Sequence, residues 1–265
     1  MNLSIHSLHI YPVKSCRGID LTAAELVHTG IKYDRHWMLV DEKGDFLSQR
    51  THPRMATIVC ALSDQSLLIT APGQPELEVP LEQDADSYRL VNIWADTCNA
   101  VIVSAQASHW FSQVLGLKCD LVFLPDSEHR QVDTRYAAPG KRVGFADGFP
   151  LLIVSLASID LLNSKLEQKV DINRFRPNIV IDGCPPHAED DWSRIIIGDI
   201  EIQLAKPCSR CVIPSIDQNS SEKHPTLLKA LASYRRYDNK VLFGQNGLHN
   251  GPGRIHVGQK VTVTD

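Results

Sequence analysis

Over the first hundred residues the apolar positions fall in short runs broken by turn residues. Leu3, Ile5, Leu8 and Ile10 mark a strand that ends at Pro12. Residues 36–41 and 46–49 flank Glu42-Lys43-Gly44-Asp45, the signature of a hairpin with glycine in its turn. Further runs follow at 57–62, 66–70, 77–81 and 88–94, two of them separated by Ala71-Pro72-Gly73-Gln74-Pro75. Short strands at this spacing predict a barrel or sandwich with no long helix.

The pattern changes near residues 95–105. Ala107, Trp110, Phe111, Val114 and Leu115 recur at helical spacing, with Ser104 as N-cap and Gly116 as stop. A second helix is predicted over about 156–167, and a third from Pro225, which places Leu227, Leu228, Leu231 and Tyr234 on one side. Strands resume at 178–181, 194–197, 200–204, 241–243 and 261–264. Residues 126–149 form a long polar segment with Pro and Gly, expected to be a mobile surface loop. The fold class is therefore mixed and mainly β.

Composition narrows the setting. Apolar residues make up 43% and charged residues 22% of 265, an ordinary globular balance, and the net charge of −4 gives no reason to expect nucleic acid as a partner. The longest apolar runs, such as 150–155, fall far short of the ~20 residues of a membrane span. No charged and apolar leader pattern opens the chain, so a cytoplasmic protein without a membrane partner is expected. Seven cysteines, an odd number, read as reduced thiols rather than a disulfide framework.

Two of those cysteines sit in a loaded segment, Lys206-Pro207-Cys208-Ser209-Arg210-Cys211. A working thiolate needs a nearby cation, which Arg210 and Lys206 could supply. Three readings stay open: a redox pair, disfavoured by the non-helical Val212-Ile213-Pro214; a zinc site with Cys184 and His187; or one working thiolate beside a structural cysteine. Anion chemistry is suggested elsewhere. Lys14 and Ser15 follow the first strand, and Arg35 opens another. Strand alternation would send Arg174 and Arg176 to one face as an oxyanion clamp, with a solvated strand face as the alternative. No Walker loop, dinucleotide fingerprint or nucleophile elbow is present, and the 11 histidines stay unassigned.

These pieces occur in a telling order: residues 11–18, Asp34-Arg35-His36-Trp37, Asp147-Gly148-Phe149-Pro150 with Ser155 and Ser158, residues 173–178, Cys208-Ser209-Arg210-Cys211, and Phe243-Gly244-Gln245-Asn246. The set resembles the MOSC (molybdenum cofactor sulfurase C-terminal) family with its N-terminal β-barrel partner domain, on the side of the mitochondrial amidoxime-reducing component and its bacterial counterparts. The resemblance implies an N-terminal β-barrel domain over 1–100 and a MOSC β-barrel domain with a few flanking helices over 101–265. It implies a molybdenum–molybdopterin cofactor, with Cys211 as the catalytic thiolate that ligates molybdenum. Lys14, Ser15, Arg35, Ser155, Arg176 and Asn178 would hold the pterin and its phosphate. The implied activity is reduction of small N-hydroxylated compounds. No Cys-x₄-Cys-x₂-Cys spacing for an iron–sulfur cluster is present, so electrons would come from a separate ferredoxin-like or flavin donor. The alternative is a sulfur-carrying or cofactor-handling protein that uses a Cys211 persulfide.

Overall fold

The first strand, Leu3–Ile10, contains the key to the larger sheet. Its apolar side chains switch from odd to even positions because a β-bulge between Ile5 and Ser7 inserts one residue into its pairing with Ile179–Asp182. All four therefore point inward and are buried. The computed structural model describes residues 2–82 and 87–264.

Seven strands close into a barrel. Leu151–Ser155 pairs in parallel with Ile179–Asp182, which pairs with Leu3–Ile10, then Lys260–Thr264, Arg194–Ile197, Ile200–Ser209 and Lys240–His249. Lys240–His249 pairs back with Leu151–Ser155 and leaves no open edge at that point. Inward alternation fills the interior with Leu3, Ile5, Ile153, Ile181, Ile195 and Ile202. A Cβ on Gly247 would meet Ile153 Cδ1 at 2.4 Å, so the closing strand needs glycine there.

The N-terminal region builds a second β unit. Trp37–Val40, Asp120–Phe123, Asp96–Ile102 and Tyr88–Ile93 form an antiparallel sheet, and Val59–Leu62, Ser66–Thr70 and Leu77–Pro80 form a meander. Helix α1 (Ala105–Leu115) lays Ala107, Trp110, Phe111 and Val114 against both. The mainly β class with few helices is thus what the chain adopts. The sheets are interleaved in sequence: the first strand belongs to the C-terminal barrel, while α1 and Asp120–Phe123 complete the N-terminal unit.

Several expectations need correction. Residues 46–49 form no strand, because Phe46 makes only an isolated bridge to Val40 while Asp41 caps the turn through the N–H groups of Lys43 and Asp45. Helix α2 runs only over Leu156–Asn163. The apolar run before it is a barrel strand, Leu151–Ser155. Residues 126–149 are not an open polar loop. They carry a short hairpin, Arg130–Gln131 with Arg142–Val143, and bury Val132, Val143 and Phe145. Arg130 is buried and donates to the carbonyls of Gly144 and Ala146 and to Asp96. Helix α3 (Thr226–Arg235) starts one residue later than expected, with Pro225 as its N-cap, and packs Leu227 and Leu231 beside Phe175 and Phe243. No helix among the described residues is long and apolar enough to cross a membrane.

Candidate functional site

Four segments converge on one cleft: the turn after the first strand, residues 146–149, the turn at 175–178, and residues 208–211 at the end of the strand Ile200–Ser209. Lys14, Ser15, Arg35, Arg176, Asn178 and Cys211 all line it. Ser155 does not.

Lys14 is buried, with 5% exposure. Its backbone N–H donates to Trp37 O, which draws the turn onto the N-terminal sheet. Its Nζ donates to Phe145 O at 2.7 Å and to Asp147 Oδ1 at 2.6 Å. Burial pushes the ammonium pKa down to about 8, although the Asp147 carboxylate works the other way. Gly144 permits this arrangement, since a Cβ there would lie 3.0 Å from Arg35 O. Phe145 N–H then donates to Arg35 O and fixes the loop that presents Asp147.

Arg35 and Arg176 form the floor. Both adopt positive φ, 51° and 56°, and both guanidinium groups pack on the Tyr11 ring, at 4.3 and 4.1 Å from its centroid. Arg35 Nη1 donates to Asp34 Oδ2 at 2.5 Å and to Asn178 Oδ1 at 3.2 Å. Asn178 is a tie between strands, because its Oδ1 also accepts from Leu152 N–H and its Nδ2 donates to His9 O. Arg176 Nη1 donates to Cys16 O at 2.8 Å, while Nη2 is buried with no partner among the described residues. Burial, then the neighbouring Arg35, lowers the Arg176 pKa to about 10. Ser15 sits at φ 67°, and its carbonyl accepts from Gln49 Nε2.

Arg174 and Arg176 do not form a clamp. Residues Ile172–Phe175 make a 3₁₀ turn that ends in the left-handed conformation at Arg176, so strand alternation does not apply. Arg174 turns away to Asp217 and Pro214 O.

The cysteine segment also differs from expectation. Arg210 Nη1 donates to Cys208 Sγ at 3.0 Å and Nη2 to Phe175 O, so its field serves Cys208. Lys206 lies over the rings of Tyr136 and Phe149. The cation beside the half-buried Cys211 thiol is Arg50, which also donates to Asp147 Oδ2 at 2.9 Å. Burial disfavours the Arg50 charge, yet Asp147 and Cys211 outweigh it and raise its pKa. Nothing local in the sequence marks Arg50; its role comes from the fold, which brings it to Cys211 across a separation of 161 positions. Asp147 stood inside a noted motif, but without its two cationic partners no role could be read from it.

Ser155 lies in a separate cluster. It is fully buried, its Oγ is 2.5 Å from Ser158 Oγ, and its N–H donates to Glu189 Oε1. Cys184 and His187 stand near that cluster rather than with Cys208 and Cys211. Among the described residues no three His, Cys, Asp or Glu side chains are grouped to hold a metal by themselves.

The lining suits an oxyanion beside a thiol. Five cations line it, Lys14, Arg35, Arg50, Arg176 and Arg210, against one lining carboxylate, Asp147. Arg176 Nη2 and Arg210 Nε are buried donors without partners among the described residues. Unpaired buried donors are costly, so their presence here fits a ligand rich in acceptor oxygens.

The sequence matches two family descriptions, MOSC N-terminal beta barrel domain over residues 2–118 and MOSC domain over residues 140–262. Mitochondrial amidoxime-reducing component 1 of Mus musculus is 33% identical over 97% of this chain and 81% of its own length. The chain belongs to the MOSC family. This MOSC protein is also 32% identical to the Homo sapiens amidoxime-reducing component 1, over 97% of the chain and 82% of that relative. It is 32% identical to the Oryza sativa molybdenum cofactor sulfurase over 92% of the chain, but that match spans 32% of the relative.

Proposed function

We propose that this protein is a molybdenum-cofactor-dependent oxidoreductase that reduces small N-hydroxylated compounds of the amidoxime or N-hydroxylated base type. The observation that carries the reading is the cleft itself: a thiol beside converging cations, two with unpartnered buried donors, in a chain whose full-length relatives are amidoxime-reducing components. The reaction class is balanced as R–NHOH or C=N–OH plus two electrons and two protons giving the N–H compound and water.

The bound cofactor supplies a redox-active metal centre and a pterin with a phosphate. Cys211 is the residue assigned to the metal, since a soft thiolate suits molybdenum. Lys14, Ser15, Arg35 and Arg176 are assigned to the pterin phosphate. Paired guanidinium groups and buried N–H donors match phosphate oxygens, and each charge-assisted bond contributes about 1.5–3 kcal/mol. Asn178 serves by holding Arg35 and two barrel strands in place rather than by direct donation. Arg50, half-buried against Asp147 and Cys211, keeps a positive field at the thiol.

Electrons are assigned to a separate donor protein of ferredoxin-like or flavin type. The seven thiols, none of them paired, support a reducing, cytoplasmic setting. A sulfur-carrying role for Cys211 has its own support in the sulfurase relatives, but those matches cover about a third of the relatives' length.

The test is expression in a host competent for the cofactor, with molybdenum and pterin content measured beside benzamidoxime reduction. Stoichiometric molybdenum and turnover with a chemical reductant, but none with a nicotinamide alone, are expected. Full molybdenum occupancy with no turnover from any donor would overturn the enzyme reading. Sulfane sulfur on Cys211 in place of metal would establish the carrier.

A further inference from the structure

Trp94 stands beside this cleft, behind two residues that line it, Arg50 and Asp147, and in an unusual conformation. With Ala95 it makes the two-residue turn between the strands Tyr88–Ile93 and Asp96–Ile102, where Ile93 pairs with Asp96. Its φ is +58°, the left-handed region that hairpins usually fill with Gly, Asn or Asp. A bulky side chain is disfavoured there, and such strain persists mainly where the surroundings enforce it.

Burial does not explain the choice. Trp94 is 55% exposed, whereas Trp37 and Trp110 are buried. What holds it is the site. The Arg50 guanidinium lies over its ring at 4.7 Å from the centroid, and Phe46 meets it edge-on at 5.1 Å. Its indole N–H bonds to the Asp147 carboxylate, the same group that accepts from Lys14 and Arg50. Arg50 in turn faces the Cys211 thiol. An exposed aromatic surface is thus anchored, through one cation and one carboxylate, directly to the wall of the cleft.

We propose that Trp94 is a specificity-determining residue that, with Arg50 stacked on it, offers a flat wall to planar, conjugated N-hydroxylated substrates. This rests on the reductase reading and names the substrate class it favours: aryl or heteroaryl N-hydroxy compounds over alkyl ones. Stacking on an aromatic ring rewards a planar π-system and gives little to a methyl group.

The test compares benzamidoxime with acetamidoxime on the cofactor-loaded enzyme and its Trp94→Gly and Trp94→Phe variants. Glycine removes the ring while accepting the positive φ, so the turn keeps its shape. Trp94→Gly is expected to raise the ratio of KM for benzamidoxime to KM for acetamidoxime by about fivefold to tenfold. Trp94→Phe should restore most of the wild-type ratio. An equal rise in both KM values, or a fall in kcat alone, would overturn the proposal and leave Trp94 a structural residue. A second readout does not depend on turnover. Benzamidoxime should quench the tryptophan fluorescence of the wild-type protein and not that of Trp94→Phe, and acetamidoxime should quench neither. If the loaded wild type reduces neither compound, the reductase reading fails, while this titration still decides whether Trp94 meets a planar ligand. No selective quenching would sink the Trp94 proposal.

Discussion

Lys14 Nζ and Asp147 Oδ1 lie 2.6 Å apart and join segments 133 residues distant in sequence across the mouth of the cleft. The pair sets the pH behaviour of the site. Burial brings Lys14 to about 8, below the ~10.4 of an unfolded lysine. Between about pH 8 and 10 the folded chain therefore sheds a proton that the unfolded chain keeps, and the Lys14 contribution to stability rises with pH across that window. Asp147 runs the other way at the acid end. Burial opposes its charge, but Lys14 and Arg50 overcome that and hold its pKa below the usual carboxylate range, so its stabilising contribution is present above about pH 4 and lost as pH falls below it.

For an oxyanion ligand only the ammonium form of Lys14 is useful. Pyrophosphate affinity measured by calorimetry is expected to weaken as pH rises through about 8. Asp147→Asn removes the charge that supports the ammonium and should move that weakening to lower pH. A flat affinity profile from pH 6 to 9 in both proteins would show that Lys14 does not meet the anion.

Arg176 gives a stability prediction. It is 8% exposed, its Nη2 has no partner among the described residues, and Arg35 shares the Tyr11 ring with it. An anion placed between them relieves like-charge repulsion and fills the vacant donor. Pyrophosphate at about 100 times its Kd should raise the melting temperature by roughly 5 °C or more, from about 2.7 kcal/mol of linkage. Arg176→Gln should weaken binding by about tenfold or more and, at the same pyrophosphate concentration, remove about half of that shift or more. An unchanged shift in Arg176→Gln would remove Arg176 from the ligand set.

How far these features were legible depended on whether their cause was local. Helix α1 was, because its stripe, cap and stop all lie within 13 residues: Ser104 Oγ accepts from Ala107 N–H and Gly116 takes φ 71°. Lys14, Arg35 and Cys211 were flagged by residue type and neighbours, and the fold brings them together. The Arg174–Arg176 clamp failed because a 3₁₀ turn replaced the assumed strand. Arg50 was invisible, since only tertiary contact with Asp147 and Cys211 gives it meaning. Ser155 was misplaced for the converse reason: a serine beside a barrel strand end looks available until Ser158 and Glu189 are seen to close over it.

The local logic of α1 supports a control. Ser104→Ala should cost about 1 kcal/mol, read as a fall of roughly 2–4 °C in melting temperature, by orphaning the Ala107 N–H. The helix packs in the N-terminal core, away from the cleft, so molybdenum content should be unaffected. Loss of metal in this variant would mean that retention reports general stability rather than the site.

The two cysteines of the 208–211 segment should separate cleanly. Both thiols line the cleft, but Cys208 Sγ accepts from Arg210 Nη1 and packs against the cluster around Phe175 and Phe243, whereas Cys211 lies beside Arg50. Serine nearly conserves volume in both places but is a poor ligand for a soft metal. Cys211→Ser is expected to lose molybdenum while its melting temperature in the empty state stays close to wild type. Cys208→Ser should keep molybdenum and lose about 1 kcal/mol of stability, read as a melting temperature lower by roughly 2–4 °C, since a polar hydroxyl replaces sulfur against apolar neighbours. Metal analysis and thermal melts of both variants, made in the same host, decide the assignment. Equal metal retention in the two, or loss in Cys208→Ser alone, would transfer the ligand role away from Cys211 and make Arg210 rather than Arg50 the cation that matters to the working thiolate.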